Sequence, residues 1–379
     1  CARCHHHKFD AISQDDYYAL FGILSNGRPA QKVIDDPSTI NEFNSKLSSL
    51  KLQIKNEFVR SWMKIDIENE LKNITKKTLP SGQNLDFLMP LKKLYSLKDQ
   101  GFSKEWVRLN KQVKESEARL ESRRQNSNKN YWNLGVQETY KIWKKSGTGL
   151  TRHSSKAGQF SLNFKGDEII HNIMPAGAYT HLLSTKQNGT LSSPRFEFEK
   201  GNLWLRVIGD KEASVRYSVW NYPRKGTVYP KSSPEPKLEK WIRFKTDYWA
   251  GETGYLELTT NGDHPVEAGN AERSWFGLTE AFHATHDEPD PKDEASEILS
   301  PLFSTSLSVT NSRDLTILYA QVIKDAIKAW EDNSITDAQS RILNSLIKEG
   351  ILPNSQKEMP TCKNLVLKYR EIESLIKAP

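Results

Sequence analysis

Cysteine is scarce: the 379 residues hold three, at positions 1, 4 and 362. That count excludes a disulfide framework, and two of the three form one tight cluster. Long apolar runs are missing as well, none approaching the ~18 residues that a membrane-spanning helix needs. Residues 1–25 lack the basic and then apolar segments of a secretory leader. The chain opens on Cys, inside a motif, and so reads as an internal piece of a longer product whose export signal would lie upstream. There is no G-x-S-x-G elbow, P-loop, HExxH or dinucleotide fingerprint, so no self-contained catalytic constellation is expected. His153, His171, His181, His283 and His286 are scattered over turns and strand ends and read as solvated or hydrogen-bonded. Cys362, ahead of a partly apolar helix, reads as an inert thiol.

What is present is enough to bury cores. Hydrophobic residues make up 36% and charged residues 27%, and at ~150 residues per domain the length allows two or three domains. The net charge of +7 is local. Residues 91–145 carry 14 Lys and Arg against six acids; bases interleaved with acids read as a solvated helical face, so no nucleic-acid partner is expected.

The chemistry lies in Cys1-Ala2-Arg3-Cys4-His5. Two thiols at this spacing reach the two vinyl groups of one porphyrin edge, and the adjoining imidazole serves as proximal iron ligand, the pattern of covalent haem c attachment. A structural zinc site would want a second ligand pair, and no other CxxC exists in the chain. A redox dithiol of thioredoxin type would want a strand before it and a βαβ pattern after it. On the pentapeptide alone, zinc and a chance match stay open.

The following residues favour haem. Cys1 to Leu24 read CARCHHHKFDAISQDDYYALFGIL, which resembles the CARCH-x-HKFDPI-x-x-x-DYYAL-x-x-IF signature of the planctomycete-type cytochrome c proteins. His6 stands where that family usually has Asp, and Ala11 where it has Pro. Residues 201–209 (GNLWLRVIG), 221–229 (NYPRKGTVY) and 273–277 (RSWFG) look like the family's β-sandwich insert, and residues 329–354 like its following helical hairpin. The resemblance implies a large, exported, multidomain protein. It also implies haem c at Cys1, Cys4 and His5, a periplasmic or cell-envelope location, and further domains on both sides of this chain.

Periodicity gives an organisation independent of the resemblance. Tyr17 to Leu24 suits a short helix closing over the attachment site, broken by Asn26-Gly27-Arg28-Pro29. Phe43, Leu47, Leu50, Ile54, Phe58, Trp62 and Ile65 recur every three or four residues, predicting a long amphipathic helix capped by Ser38 or Thr39. Further helical stretches up to Lys129 complete an arm that reads as a structural spacer. Between Phe160 and His283 the period becomes two: Leu203, Leu205 and Val207, then Val215, Tyr217 and Val219, with further strands at 196–198, 241–244 and 255–258. Short strands with turn residues between them predict an antiparallel sandwich of galactose-binding-like or jelly-roll type. Residues 315–330, 337–349 and 365–376 read as helices, the second opened by a Thr336-x-x-Gln339 capping box.

The expectation is therefore an α+β multidomain chain. Residues 1–30 end a haem-attachment domain, 31–150 form the helical arm, 151–286 the sandwich, 287–314 a linker and 315–379 a small helical module. Electron transfer through haem c to a redox partner is the leading function. The alternatives are a carbohydrate-binding or scaffold protein with a peripheral haem, or a redox enzyme whose active site lies in missing parts. In the sandwich, Trp204 and Trp241 lie in strands and read as core. Tyr222, Arg224, Tyr229 and Trp275 lie in loops and are the candidate polysaccharide contacts. On a helix, His7 would point ~200° away from His5, which makes it unsuited as sixth ligand. A ligand upstream of Cys1 is preferred over Met89 or Met63, and an open sixth position is the remaining option.

Overall fold

The computed structural model describes residues 2–26, 36–76, 87–97, 99–126, 130–221, 223–236, 239–305 and 307–377. Among these residues no helix is long and apolar enough to cross a membrane. The chain begins with helices α1 (Gln14–Asn26), α2 (Pro37–Trp62), α3 (Ile67–Thr75), α4 (Met89–Tyr95) and α5 (Asp99–Asn126). Short β1 (Tyr131–Asn133), α6 (Gln137–Ile142) and β2 (Lys144–Ser146) lead into a hairpin of β3 (Gln159–Leu162) and β4 (Ile170–Met174). Strands β5 (Ala178–Tyr179), β6 (Thr190–Ser192), β7 (Phe196–Glu197), β8 (Asn202–Gly209), β9 (Ser214–Val219), β10 (Lys231–Ser232), β11 (Lys240–Lys245), β12 (Thr253–Thr259) and β13 (Phe276–Ala284) follow. Helices α7 (Ser296–Phe303), α8 (Ser312–Glu331), α9 (Asp337–Lys348) and α10 (Lys363–Ser374) close the described chain.

Two antiparallel sheets make a β-sandwich. One has the order β1-β13-β8-β11, with β5 also on β13; the other runs β10-β9-β12-β6-β2, with β7 also on β12. Their inner faces share one core built from Leu203, Leu205 and Val207 of β8 with Val215, Tyr217 and Val219 of β9 and Leu256 and Leu258 of β12. This is the period-two pattern, since successive side chains of a strand point to opposite faces. The outward residues of β8 are buried too, because helices cover that face. Arg123 of α5 stacks over Trp241 and Phe282. Arg206 meets Glu297 of α7, Glu239 at 3.2 Å and Asp293 at 3.4 Å. Burial opposes a charge on Arg206, and the surrounding carboxylates outweigh it, raising its pKa.

Three expectations need correction. The sandwich starts before residue 151: β1 pairs with β13 and β2 with β6. Residues 287–314 are no plain linker, because α7 buries Ile298, Leu299 and Leu302 and Glu294 pairs with Arg119 of α5 at 2.7 Å. The helical arm is not a detached spacer. Its Leu47, Leu50, Ile54, Phe58 and Trp62 enter one core with Leu318, Ile323, Trp330, Leu343 and Tyr369 of the C-terminal helices and with Phe160 and Ile173 of the hairpin. Trp62 stacks on Trp330 at 5.3 Å and donates from Nε1 to Pro353 O at 3.0 Å. The Lys51 ammonium donates to Leu182 O at 2.7 Å, and burial lowers its pKa to about 7.

Local caps explain the helix starts. Asp36, not Ser38 or Thr39, caps α2, accepting from Ser38 N at 2.9 Å with Pro37 in the first turn. Thr336 and Gln339 form the expected capping box of α9. The bases of the 91–145 stretch are partly tied into ion pairs, Glu105 holding Lys93 at 2.9 Å and Arg108 at 2.6 Å.

Candidate functional site

The N-terminal segment is folded by short-range bonds. Residues 2–4 make a turn and residue 5 a bend, so the helical geometry expected for His5 to His7 is not adopted. Gln14 ties both ends together, donating from Nε2 to Arg3 O at 3.0 Å and from its backbone N to His6 Nδ1 at 3.1 Å. His7 N donates to Ile12 O at 2.9 Å, while His7 Nδ1 accepts from Asp10 N at 3.0 Å and lies 3.0 Å from the Asp10 carboxylate. Ser13 and Asp16 bond reciprocally at the start of α1, at 2.8 and 3.0 Å, and the Ser13 hydroxyl, donating to the Asp16 carboxylate at 2.7 Å, together with the Ser13 N–H lowers the Asp16 pKa.

Tautomers separate His5 from His6. His5 Nδ1 lies 2.7 Å from His6 O. A carbonyl oxygen only accepts, so Nδ1 carries the proton and the Nε2 lone pair is left for a ligand. In His6 the Nδ1 is itself the acceptor, so the neutral ring is protonated at Nε2. Cys4 is exposed and unbonded to another cysteine; Cys1 lies outside the described residues. The residues after this turn and along α1 carry exposed apolar side chains: Phe9 (84% exposed), Ile12, Tyr18, Leu20, Phe21, Ile23 (69%) and Leu24. Among the described residues no group of three His, Cys, Asp or Glu side chains converges as a metal cage would. Met63 and Met89, the low-ranked sixth-ligand candidates, are half exposed at the ends of α2 and α4.

A second cluster closes one end of the sandwich. Trp220 follows β9 with φ +58°, a left-handed backbone that costs a bulky residue on the order of 1–3 kcal/mol. It is held there by its backbone N–H to Thr253 O at 2.6 Å and its Nε1–H to Glu252 Oε2 at 2.6 Å. Trp249, buried and donating to Val228 O at 2.8 Å, is the pillar behind it. Around that pillar stand Trp220 at 5.9 Å, Tyr248 at 4.8 Å and Tyr229 at 5.3 Å. The Arg224 guanidinium lies over the rings of Trp220 at 5.1 Å and Tyr229 at 5.8 Å. Trp220 is 42% exposed and Tyr248 72%.

Of the four candidate polysaccharide contacts, Arg224 and Tyr229 fall in this cluster, and Tyr222 lies outside the described residues. Trp275 is a correction. It is 5% exposed, its ring 3.8 Å from the His181 ring, and it lines a separate cleft of about 250 Å³ with His171, Arg273 and Phe164. It packs; it does not present a face. Trp220 and Tyr248 are not among the residues singled out from the sequence. Both stand next to turn residues, a signal that could have singled them out, but their exposure depends on where Trp249 sits.

The other histidines have structural roles or surroundings. His283 Nε2 bonds Thr246 Oγ1 at 3.0 Å, and His286 bonds Asp247 at 2.6 Å. His181 is buried, and that burial pushes its pKa well down. A cleft of about 670 Å³ between the sandwich and the C-terminal helices is lined by Arg206, Glu280, Glu297 and Arg341. Two of its carboxylates are ion-pair partners: Glu280 lies 3.9 Å from Arg206 and Glu297 3.9 Å from Arg341.

A family model described as PSCyt2, protein of unknown function (DUF1549), matches residues 1–28. The segment with the cysteine motif is thus similar to that domain. No curated protein matches the chain. Among solved structures, TmCBM61 in complex with beta-1,4-galactotriose is 13% identical, covering 38% of this chain and 88% of its own, with a TM-score of 0.21. A family 29 carbohydrate-binding module is 14% identical over 43% of this chain and 96% of its own, at 0.23. The CBM36-1 domain of a multidomain xylanase from the hindgut metagenome of Trinervitermes trinervoides is 17% identical over 38% and 100%, at 0.20. Similarity at this level assigns neither ligand nor activity.

Proposed function

We propose that this chain holds haem c covalently at Cys1 and Cys4, with His5 as an axial ligand, and passes electrons to a partner protein in the periplasm or cell envelope. The observation that carries the reading is the 2.7 Å bond from His5 Nδ1 to His6 O, which leaves Nε2 unprotonated and orients the ring, as metal-bound imidazoles require. The exposed Cys4 thiol and the His5 Nε2 lone pair suit the group. The turn holding His5 is braced by Gln14, and the exposed Leu20, Phe21, Ile23 and Leu24 offer apolar surface that a porphyrin would cover. The match to the PSCyt2 model over the same residues supports the same reading. When bound, haem c supplies a one-electron couple, whose potential follows from axial ligand, hydrogen bonding and burial. This chain's residues fix the imidazole tautomer and orientation.

Haem staining tests it. Exported and matured by a cytochrome c maturation system, the chain is expected to keep its stain through denaturing gels, to lose it in Cys4→Ala and to retain it in Cys362→Ala. Equal staining in wild type and both variants refutes the assignment.

A second reading concerns the sandwich: it binds a polysaccharide through Trp220 and Tyr248. Exposed aromatic faces beside hydrogen-bonding groups are what a pyranose ring stacks on. Binding to a polysaccharide panel that survives Tyr248→Ala unchanged counts against it.

A further inference from the structure

We propose that the Trp220 face reads an acidic polysaccharide, with the pyranose ring stacked on Trp220 and its carboxylate or sulfate received by Arg224 and Arg195. This rests on the polysaccharide reading of the sandwich and adds the class of sugar.

Four cations lie on or next to this end of the sandwich. Lys225 and Lys231 both pair with Glu267, whose pKa those lysines hold down at about 2. One carboxylate serves two ammonium groups, so this trio keeps one positive charge in excess. Arg224 and Arg195 have no carboxylate within 4 Å among the described residues, while both contact the Trp220 surroundings. Arg224 stacks over the indole at 5.1 Å and gives one N–H to Tyr229 Oη at 3.2 Å. Arg195 donates to the Asn221 side chain, next to Trp220. A guanidinium stacked on aromatic faces keeps its in-plane N–H groups for an acceptor at the ring edge, and its fork matches a carboxylate or sulfate in two parallel bonds.

The aromatic side of the site is built to stay open. Glu252 takes the indole N–H, so the polar edge of Trp220 is satisfied by the protein; Arg224 lies over the ring on one side, and the part of the indole still exposed, 42% of the residue, is what remains for a ligand. Trp220 follows Arg216 and Ser218 in parity, opposite to Val215, Tyr217 and Val219, which point into the core, and it ends the strand in a left-handed conformation. A neutral sugar would use the ring and leave both guanidinium groups without a counter-charge. An acidic sugar uses both.

The experiment is native affinity electrophoresis of the full chain in gels containing polygalacturonate, dextran sulfate or neutral galactan, at low and moderate salt. Retardation by at least one of the acidic polymers is expected to be at least tenfold stronger than by galactan. Arg224→Gln should abolish that preference, and Trp220→Ala should abolish retardation in every gel although the net charge is unchanged. Thermal melting checks the fold, and Tyr248→Ala, at a 72% exposed position, serves if Trp220→Ala unfolds. Equal retardation by acidic and neutral polymers, lost in the aromatic variants, overturns the acid preference and leaves the polysaccharide reading standing. Retardation by acidic polymers that survives both aromatic variants is charge attraction alone and overturns both, as does no retardation in any gel.

Discussion

Trp62→Ala tests whether the N-terminal helices and the C-terminal helices form one folding unit. The indole is fully buried at the end of α2, stacked on Trp330 of α8 at 5.3 Å and edge-on to Phe58 at 5.2 Å. Truncating a buried Trp to Ala typically costs about 3–5 kcal/mol through lost burial and the cavity left behind. Part of that cost is the lost bond to Pro353 O, which strands a carbonyl. A total near 4 kcal/mol is a large part of the roughly 5–15 kcal/mol that a domain has. At about 1.4 kcal/mol per factor of ten, it corresponds to an opening equilibrium some hundreds of times more populated. Hydrogen exchange followed by mass spectrometry reads this directly. Peptides from 37–62, 312–331 and 363–374 are expected to lose protection together, by about two to three orders of magnitude. If the peptides of α2 exchange faster while those of α8 and α10 keep their protection, the two sets of helices are separate units and the shared-core description is wrong. Trp62→Phe, which keeps an aromatic ring against Trp330, should show a smaller fall in the same three segments.

Acid should destabilise the fold in a window set by histidine. Burial first, with Arg216 and Lys231 adding to it, lowers the His264 pKa to about 4, against an ordinary value near 6.5. Between those limits the unfolded chain binds a proton that the folded chain does not, so stability is full above about pH 6.5 and is lost as pH falls towards 4. His181 and His283, also lowered by burial, act with the same sign. The melting temperature is expected to fall across this window and His264→Gln to flatten part of the slope; a slope unchanged in that variant contradicts the assignment. Thiol reactivity gives an independent check. Burial pushes Cys362 up to about 11, so in haem-free protein at pH 8 an alkylating reagent should label exposed Cys4 within minutes and Cys362 only after denaturant is added. Similar rates for the two would show that Cys362 is not enclosed.

Much was legible in the residues alone. The Phe43 to Trp62 stripe, the period-two runs of β8 and β9 and the Thr336–Gln339 capping box are local patterns, each set by neighbours a few positions away. The CxxCH spacing is local too, and so is the expectation it carries. Other features depend on partners far off in the chain. A three-residue strand such as β1 has no period to read; it is a strand because β13, some 150 positions later, offers it a free edge. An apolar helix face says that something is buried, not against what, which is why α2 read as part of a spacer while Trp62 was waiting for Trp330. Trp275 and Trp220 differ in the same way. Both are tryptophans near turns, yet His181 covers one, while the other, held by an indole bond to Glu252, stays 42% exposed. Local spacing decides which faces are apolar, and long-range packing decides which of those faces stay open to a ligand.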